Sequence, residues 1–146
     1  MKTHWIVAGL AASAMALATP AVAGGSFSVI IEQNGRYHDG AAYQYGVGDR
    51  AHLFQEGLRH MGRIMQNGGF NDAVIGQDGS NHSASIAQDG FNNVSGIAQF
   101  GEGHTAEAEQ YGSNNSLGII QIGKNRHGRV IQRGNGNIGL VIQGGW

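Results

Sequence analysis

Four histidines, His38, His60, His82 and His104, recur at intervals of 22 residues. Imidazole titrates near neutrality, so a column of them could sense pH. It could also hold a metal ion, although one ion needs several ligands converging on it. The plainer reading is that His stands in for Asn as a turn residue that hydrogen-bonds along a stack. Gly134-x-Gly136-x-x-Gly139 satisfies the dinucleotide-binding pattern. That fingerprint needs a preceding strand, a following helix and a downstream acid. Here overlapping repeat glycines produce it, and it is read as spurious. The absence of cysteine excludes a disulfide framework and any thiolate zinc, iron–sulfur or nucleophilic site. Outside the repeat there is no nucleophile–base pair, metal cluster or cofactor motif. Neither an enzyme nor a cofactor is expected.

The elements that carry these residues follow an eleven-residue clock. Every Gln keeps it: Gln33, Gln44, Gln55, Gln66, Gln77, Gln88, Gln99, Gln110, Gln121, Gln132 and Gln143. Two residues after each stands a glycine: Gly35, Gly46, Gly57, Gly68, Gly79, Gly90, Gly101, Gly112, Gly123, Gly134 and Gly145. Two residues before each stands an apolar residue, as in Ile31, Leu53, Ile64, Ile75 and Ile86. Four before, the residue is mostly small, as in Ala51, Ala73, Ala84, Ser95 and Ala106.

A period of 11 also fits three α-helical turns. A glycine in every repeat argues against it, at about 1 kcal/mol each relative to Ala. A strand of about five or six residues followed by a tight turn fits better. Alternation then places the −4, −2 and Gln positions on one face. The glycine falls where the chain turns and positive φ is easiest.

The charges agree, because none outside residues 1–23 occupies a −4, −2 or Gln position. Glu32, Arg63, Glu107, Glu109 and Arg129 fall on outward strand positions. Arg36, Asp39, Arg50, Arg59, Asp72, Glu102 and Lys124 fall in turns. Only Asp49 and Arg126 stand five after a Gln, at the far end of the turn. An apolar inside and a solvated outside follow.

Alternate half-repeats differ, so the full repeat is 22. The histidines and then Arg126 mark one edge; Asp49, Asn71, Asn93, Asn115 and Asn137 mark the other. Each 22-residue strand-turn-strand-turn unit is expected to form one rung of an all-β, two-sided β-solenoid. Stacking at about 4.8 Å would give cross-β spacing. Buried amides are costly alone but can bond to the amide of the next rung. Five rungs and a final half-rung are expected. No capping repeat or edge proline is visible, so both ends invite an identical molecule. The expected function is polymerisation.

Of 146 residues, 26 are Gly and one is Pro, and the net charge is −1. That balance argues against a nucleic-acid partner. Residues 1–23 read as a signal peptide: Lys2 and His4, an apolar stretch from Trp5 to Ala18, then Pro20 and Ala21-Val22-Ala23. The stretch falls short of the roughly 20 residues of a transmembrane anchor. Residues 24–28 form a short N-terminal segment, and 29–146 the repeat domain.

The frames Gln66-x-Gly68-x-x-Asn71-x-Ala73-x3-Gln77 and Gln77-x-Gly79-x-x-His82-x-Ala84-x3-Gln88 resemble the curlin repeat. The likeness extends over residues 29–146. Curlins are subunits of curli, the bacterial extracellular amyloid fibres. The resemblance implies passage through the periplasm, an outer-membrane secretion pore, periplasmic chaperones, a companion curlin subunit, and roles in biofilm matrix and adhesion. His often replaces the turn Asn of the family, and the segment before the first repeat is short. The basic last rung, with Lys124, Arg126, Arg129 and Arg133, is similar to the nucleating minor subunit. The unbroken Gln register is similar to the major one. The alternative is a monomeric secreted solenoid that binds a ligand or surface. Exposed Tyr43, Tyr45, Phe54, Phe100 and Tyr111 would suit adhesion or bundling. Asp78 and Asp89 are read as gatekeepers against early assembly, or as plain turn residues.

Overall fold

The computed structural model describes residues 4–8, 16–19 and 26–145. Two short strands, β1 (His4–Ala8) and β2 (Ala16–Thr19), precede the repeat region. Then follow β3 (Ser28–Arg36), β4 (Asp39–Val47), β5 (Arg50–Leu58) and β6 (Met61–Gly69). Next are β7 (Asp72–Ser80), β8 (Ser83–Phe91), β9 (Val94–Glu102) and β10 (Thr105–Ser113). The series ends with β11 (Ser116–Lys124), β12 (His127–Asn135) and β13 (Ile138–Gln143).

Odd-numbered strands form one parallel sheet and even-numbered strands the other. We call them the front and back sheets. From β3 onward each strand pairs with the one 22 residues away, Gln on Gln and Gly on Gly. The chain therefore winds as a two-sided β-solenoid. β1 and β2 lie against β3 and β4, in a register offset of 24 rather than 22. They belong to the segment expected to be a signal peptide.

The strands are longer than the expected five or six residues. β3 to β12 have nine each, and only two residues separate them. The reason lies in the glycine two residues after each Gln. Its φ is +104° to +144°, so the backbone bends there without leaving the ladder. At Gly79 an added Cβ would also collide with the carbonyl oxygen of Gly101, one rung on. The turn itself comes two residues later, where Arg59, Phe70, Asn81, Asn92 and their equivalents adopt left-handed backbone. Arg36, Asp39, Arg50, Asp72, Glu102 and Lys124, expected in turns, consequently sit at strand ends.

Between the sheets Ile31, Leu53, Ile75, Ile97 and Ile119 face Ala42, Ile64, Ile86 and Ala108. The small −4 residues leave room for these side chains. A Cβ at Gly40 would stand 2.8 Å from Leu53 Cδ2. Each buried aliphatic side chain contributes about 1.5–3 kcal/mol. The core is thus one residue deep and continuous from rung to rung.

Candidate functional site: polar columns and end surfaces

Two glutamine columns flank the apolar core. In the front column Gln33 Nε2 donates to Gln55 Oε1 at 2.6 Å, and Gln55 to Gln77 at 2.9 Å. The series runs on through Gln99, Gln121 and Gln143. Gln44, Gln66, Gln88, Gln110 and Gln132 repeat it in the back sheet. From Gln44 onward each amide gives its second hydrogen to the backbone carbonyl of the first residue of the preceding strand, as Gln77 does to Met61 O at 3.0 Å. All donation along the columns points the same way, towards the C-terminal end. Among the described residues, Gln33 and Gln44 accept from no side chain, while Gln132 and Gln143 have no amide above them. The two ends are complementary.

From His38 to Asn115 the position five after Gln is a buried corner rather than an exposed turn tip, while Arg126 is half-buried and Asn137 exposed. His60, His82 and His104 are each no more than 1% exposed, and His38 is buried too. Their rings stack at 4.9–5.0 Å, within 7° of parallel. Each Nε2 lies 2.8–3.0 Å from the carbonyl of the residue after Gln, such as Glu56 O for His60. Each Nδ1 accepts the backbone N–H of the next corner residue, at 3.4 Å between His82 and His60 and 3.1 Å between Arg126 and His104. A carbonyl only accepts and an amide N–H only donates. The column is therefore the neutral Nε2–H tautomer, with both nitrogens engaged and no lone pair left for a metal. Burial, reinforced by the flanking imidazoles, pulls His60 from 6.5 down to about 4, against the opposing pull of the Glu56 carbonyl. Burial lowers His82 as well.

The opposite corner is an asparagine ladder. Asn93 donates its backbone N–H and its Nδ2 to Asn71 Oδ1, at 3.1 and 3.2 Å, and Nδ2 also to Gly112 O at 2.9 Å. Asn115 and Asn137 continue it. Each corner column has one charged member. Asp49 begins the asparagine ladder and accepts Asn71 N–H through Oδ1, but its buried Oδ2 has no partner. Burial raises its pKa against the hydrogen bonds from Asn71. Arg126 ends the histidine column. It donates from Nη2 to Gly145 O at 2.6 Å, and its buried Nε has no partner.

This arrangement has the chemistry of a stacking surface. Every polar column inside it is satisfied by another rung, and the register is that of a sequence repeat. The curlin-associated repeat matches the chain at residues 61–90, 83–112 and 92–123. The chain thus carries curlin-associated repeats over residues 61–123. The three matched stretches overlap in the middle of the solenoid, and the rungs on either side share its register. No curated protein and no solved structure matches the chain. No helix among the described residues is long and apolar enough to cross a membrane.

The remaining sequence candidates lie outside the columns. Gly134, Gly136 and Gly139 fall on β12, a turn and β13, a strand–turn–strand unlike the nucleotide-binding turn. Tyr45, Phe54, Phe100 and Tyr111 are exposed on the outer faces, and Arg63 lies 5.5 Å from the ring centroid of the half-buried Tyr43. Asp78 and Asp89 are exposed, with Asp89 accepting from Asn67 at 3.2 Å. The outer faces differ. On the back sheet Arg129 bridges Glu107 and Glu109, at 3.1 and 2.8 Å. The front sheet presents Phe100, Ile122, Leu140 and Ile142.

Reading the corners as turn tips missed that their side chains face inward. The available signal was uniformity, since solvent-facing turns rarely repeat one residue type at a fixed interval.

Proposed function

We propose that this chain is a structural subunit of curli-type amyloid fibres, exported through the periplasm and assembled head to tail at the cell surface. The observation that carries this reading is the complementarity of the ends. Donor amides of Gln132 and Gln143 stand at one end and open acceptors of Gln33 and Gln44 at the other. A second copy supplies the missing partner of each. The curlin repeat supports the same reading. Removal of residues 1–23 uncovers the β3–β4 edge, against which β1 and β2 lie. A companion curlin subunit, a dedicated outer-membrane pore and chaperones complete the proposed route, with biofilm matrix and adhesion as its outcome.

The histidine column is proposed to make assembly sensitive to acid. Protonation at Nδ1 replaces an acceptor with a donor facing a backbone N–H, and places like charges about 5 Å apart.

The test is to purify residues 24–146 and follow thioflavin fluorescence, with electron microscopy and fibre diffraction of the product. Seedable fibres with a reflection near 4.8 Å support the proposal. A chain that remains β-rich and monomeric for days rejects it in favour of a monomeric binding module.

A further inference from the structure

The two sheets end one strand apart. Among the described residues β13 closes the front sheet, while the back sheet ends at β12, so this end of the stack is a step half a rung high. On the opposite edge of the molecule, β3 and β4 begin the 22-residue register. A second copy can meet the step in two ways. In the same orientation its β3 lies on β13, the place above β12 stays vacant, and Gln132 finds no acceptor above it. Turned by half a revolution about the stacking axis, its β3 lies on β12 and its β4 on β13. Gln132 then meets Gln33 of the next copy and Gln143 meets Gln44, donor to open acceptor in both columns. Asn137 Oδ1 receives the backbone N–H of the next copy's His38, the bond that Asn115 Oδ1 receives from Asn137 at 3.0 Å.

The two misfit charges give an independent reason. Asp49 and Arg126 are of opposite sign, lie at opposite ends of the stack, and each has a buried atom without a partner. Within one molecule they occupy opposite edges. The half-turn brings Asp49 of the next copy to the Arg126 edge, two rungs or about 9.6 Å further along. Arg126 already reaches one rung in that direction, to Gly145 O. Asp49 Oδ2 takes the place of an amide that, in Asn93, points at the rung below. Without the half-turn the two charges fall on opposite edges.

We propose that successive copies join head to tail with a half-turn about the fibre axis, so that β3 of one copy completes the rung begun by β13 of the last and Asp49 pairs with Arg126 across the joint. This rests on the fibre reading above. The joint is then marked by an ion pair that no internal rung contains, which makes the end of one copy specific for the start of another.

The chain has no cysteine, so a His38→Cys, Asn137→Cys double variant of residues 24–146 reports the joint directly. The half-turn sets these two positions one rung apart, about 4.8 Å, within the Cα range of a disulfide. Oxidised fibres should yield a ladder of covalent oligomers in denaturing electrophoresis. Asp49→Asn and Arg126→His each restore the residue type of their own column, so folding is protected. Each should slow elongation about tenfold in low salt, and the difference should vanish in high salt. Fibres that form without cross-links, or elongation unchanged in both charge variants, would overturn the half-turn while leaving the fibre reading intact. Failure of the parent chain to form fibres would overturn both.

Discussion

At the residue scale, the buried amides carry the largest consequences. Each glutamine from Gln55 to Gln121 serves as donor, acceptor and backbone clasp at once, so replacing one leaves partners on two rungs unsatisfied. Gln99→Leu deprives Gln77 Nε2 of its acceptor, and Ser83 O and Gln121 Oε1 of their donor. The expected cost is about 1–3 kcal/mol, read as a lower denaturant midpoint. Histidine acts in the opposite sense to aspartate. Because burial lowers His60 to about 4, the folded chain prefers neutral imidazole. Its contribution is complete above pH 6.5 and lost as pH falls through about 4. Fibre stability should drop steeply in that window, and the drop should shrink in a His60→Asn, His82→Asn variant. An unchanged pH profile would dismiss the column as a sensor. Asp49, whose pKa is raised, favours the folded chain more as pH falls towards 3.8. Asp49→Asn should therefore stabilise the isolated molecule at pH 7 by about 1 kcal/mol, measured by thermal melting.

At the scale of the strand and turn, two kinds of glycine must be told apart. Gly79 has φ +123° and abuts the Gly101 carbonyl, whereas Gly76 faces open space with nothing within 4 Å. Gly79→Ala should cost about 3 kcal/mol or more and suppress assembly. Gly76→Ala should be neutral or stabilise by about 0.5–1 kcal/mol. Comparing their denaturant midpoints checks both. The sequence showed the register of every Gln and Gly, the two-residue alternation and the two distinct edges, because each is a periodic property of residue types. It did not show that nine residues stay in the ladder. That depends on Gly at positive φ bending a strand without breaking its hydrogen bonds. Nor did it show that Asp49 and the Nε of Arg126 are buried. Inward rotation of the corner follows from left-handed backbone at the preceding residue, Gly48 and Asn125 here. The Gly and Asn residues at that position were the visible trace of it.

At the scale of the whole molecule, stability is a sum over neighbouring rungs. Deleting residues 83–104 removes one full rung and leaves every column in phase. The shortened chain should still fold and assemble. Deleting residues 83–93 instead puts His104 over Asn71 and Asn115 over His82, mixing the corners. That chain should show a much longer lag and a lower melting temperature, with the 22-residue deletion as its control.

The backbone ladder bonds all run along the stacking axis, which sets how such a fibre answers to force. Pulled lengthwise, each cross-section bears the full load on the bonds of two strands acting in parallel, so no internal section can yield much before another. The weakest section is the one that differs from the rest, the junction between copies. Under tension the fibre should part there and release whole subunits with their internal rungs intact. The broken faces would be the ones from which growth resumes, so mechanical fracture would multiply growing ends rather than destroy the material.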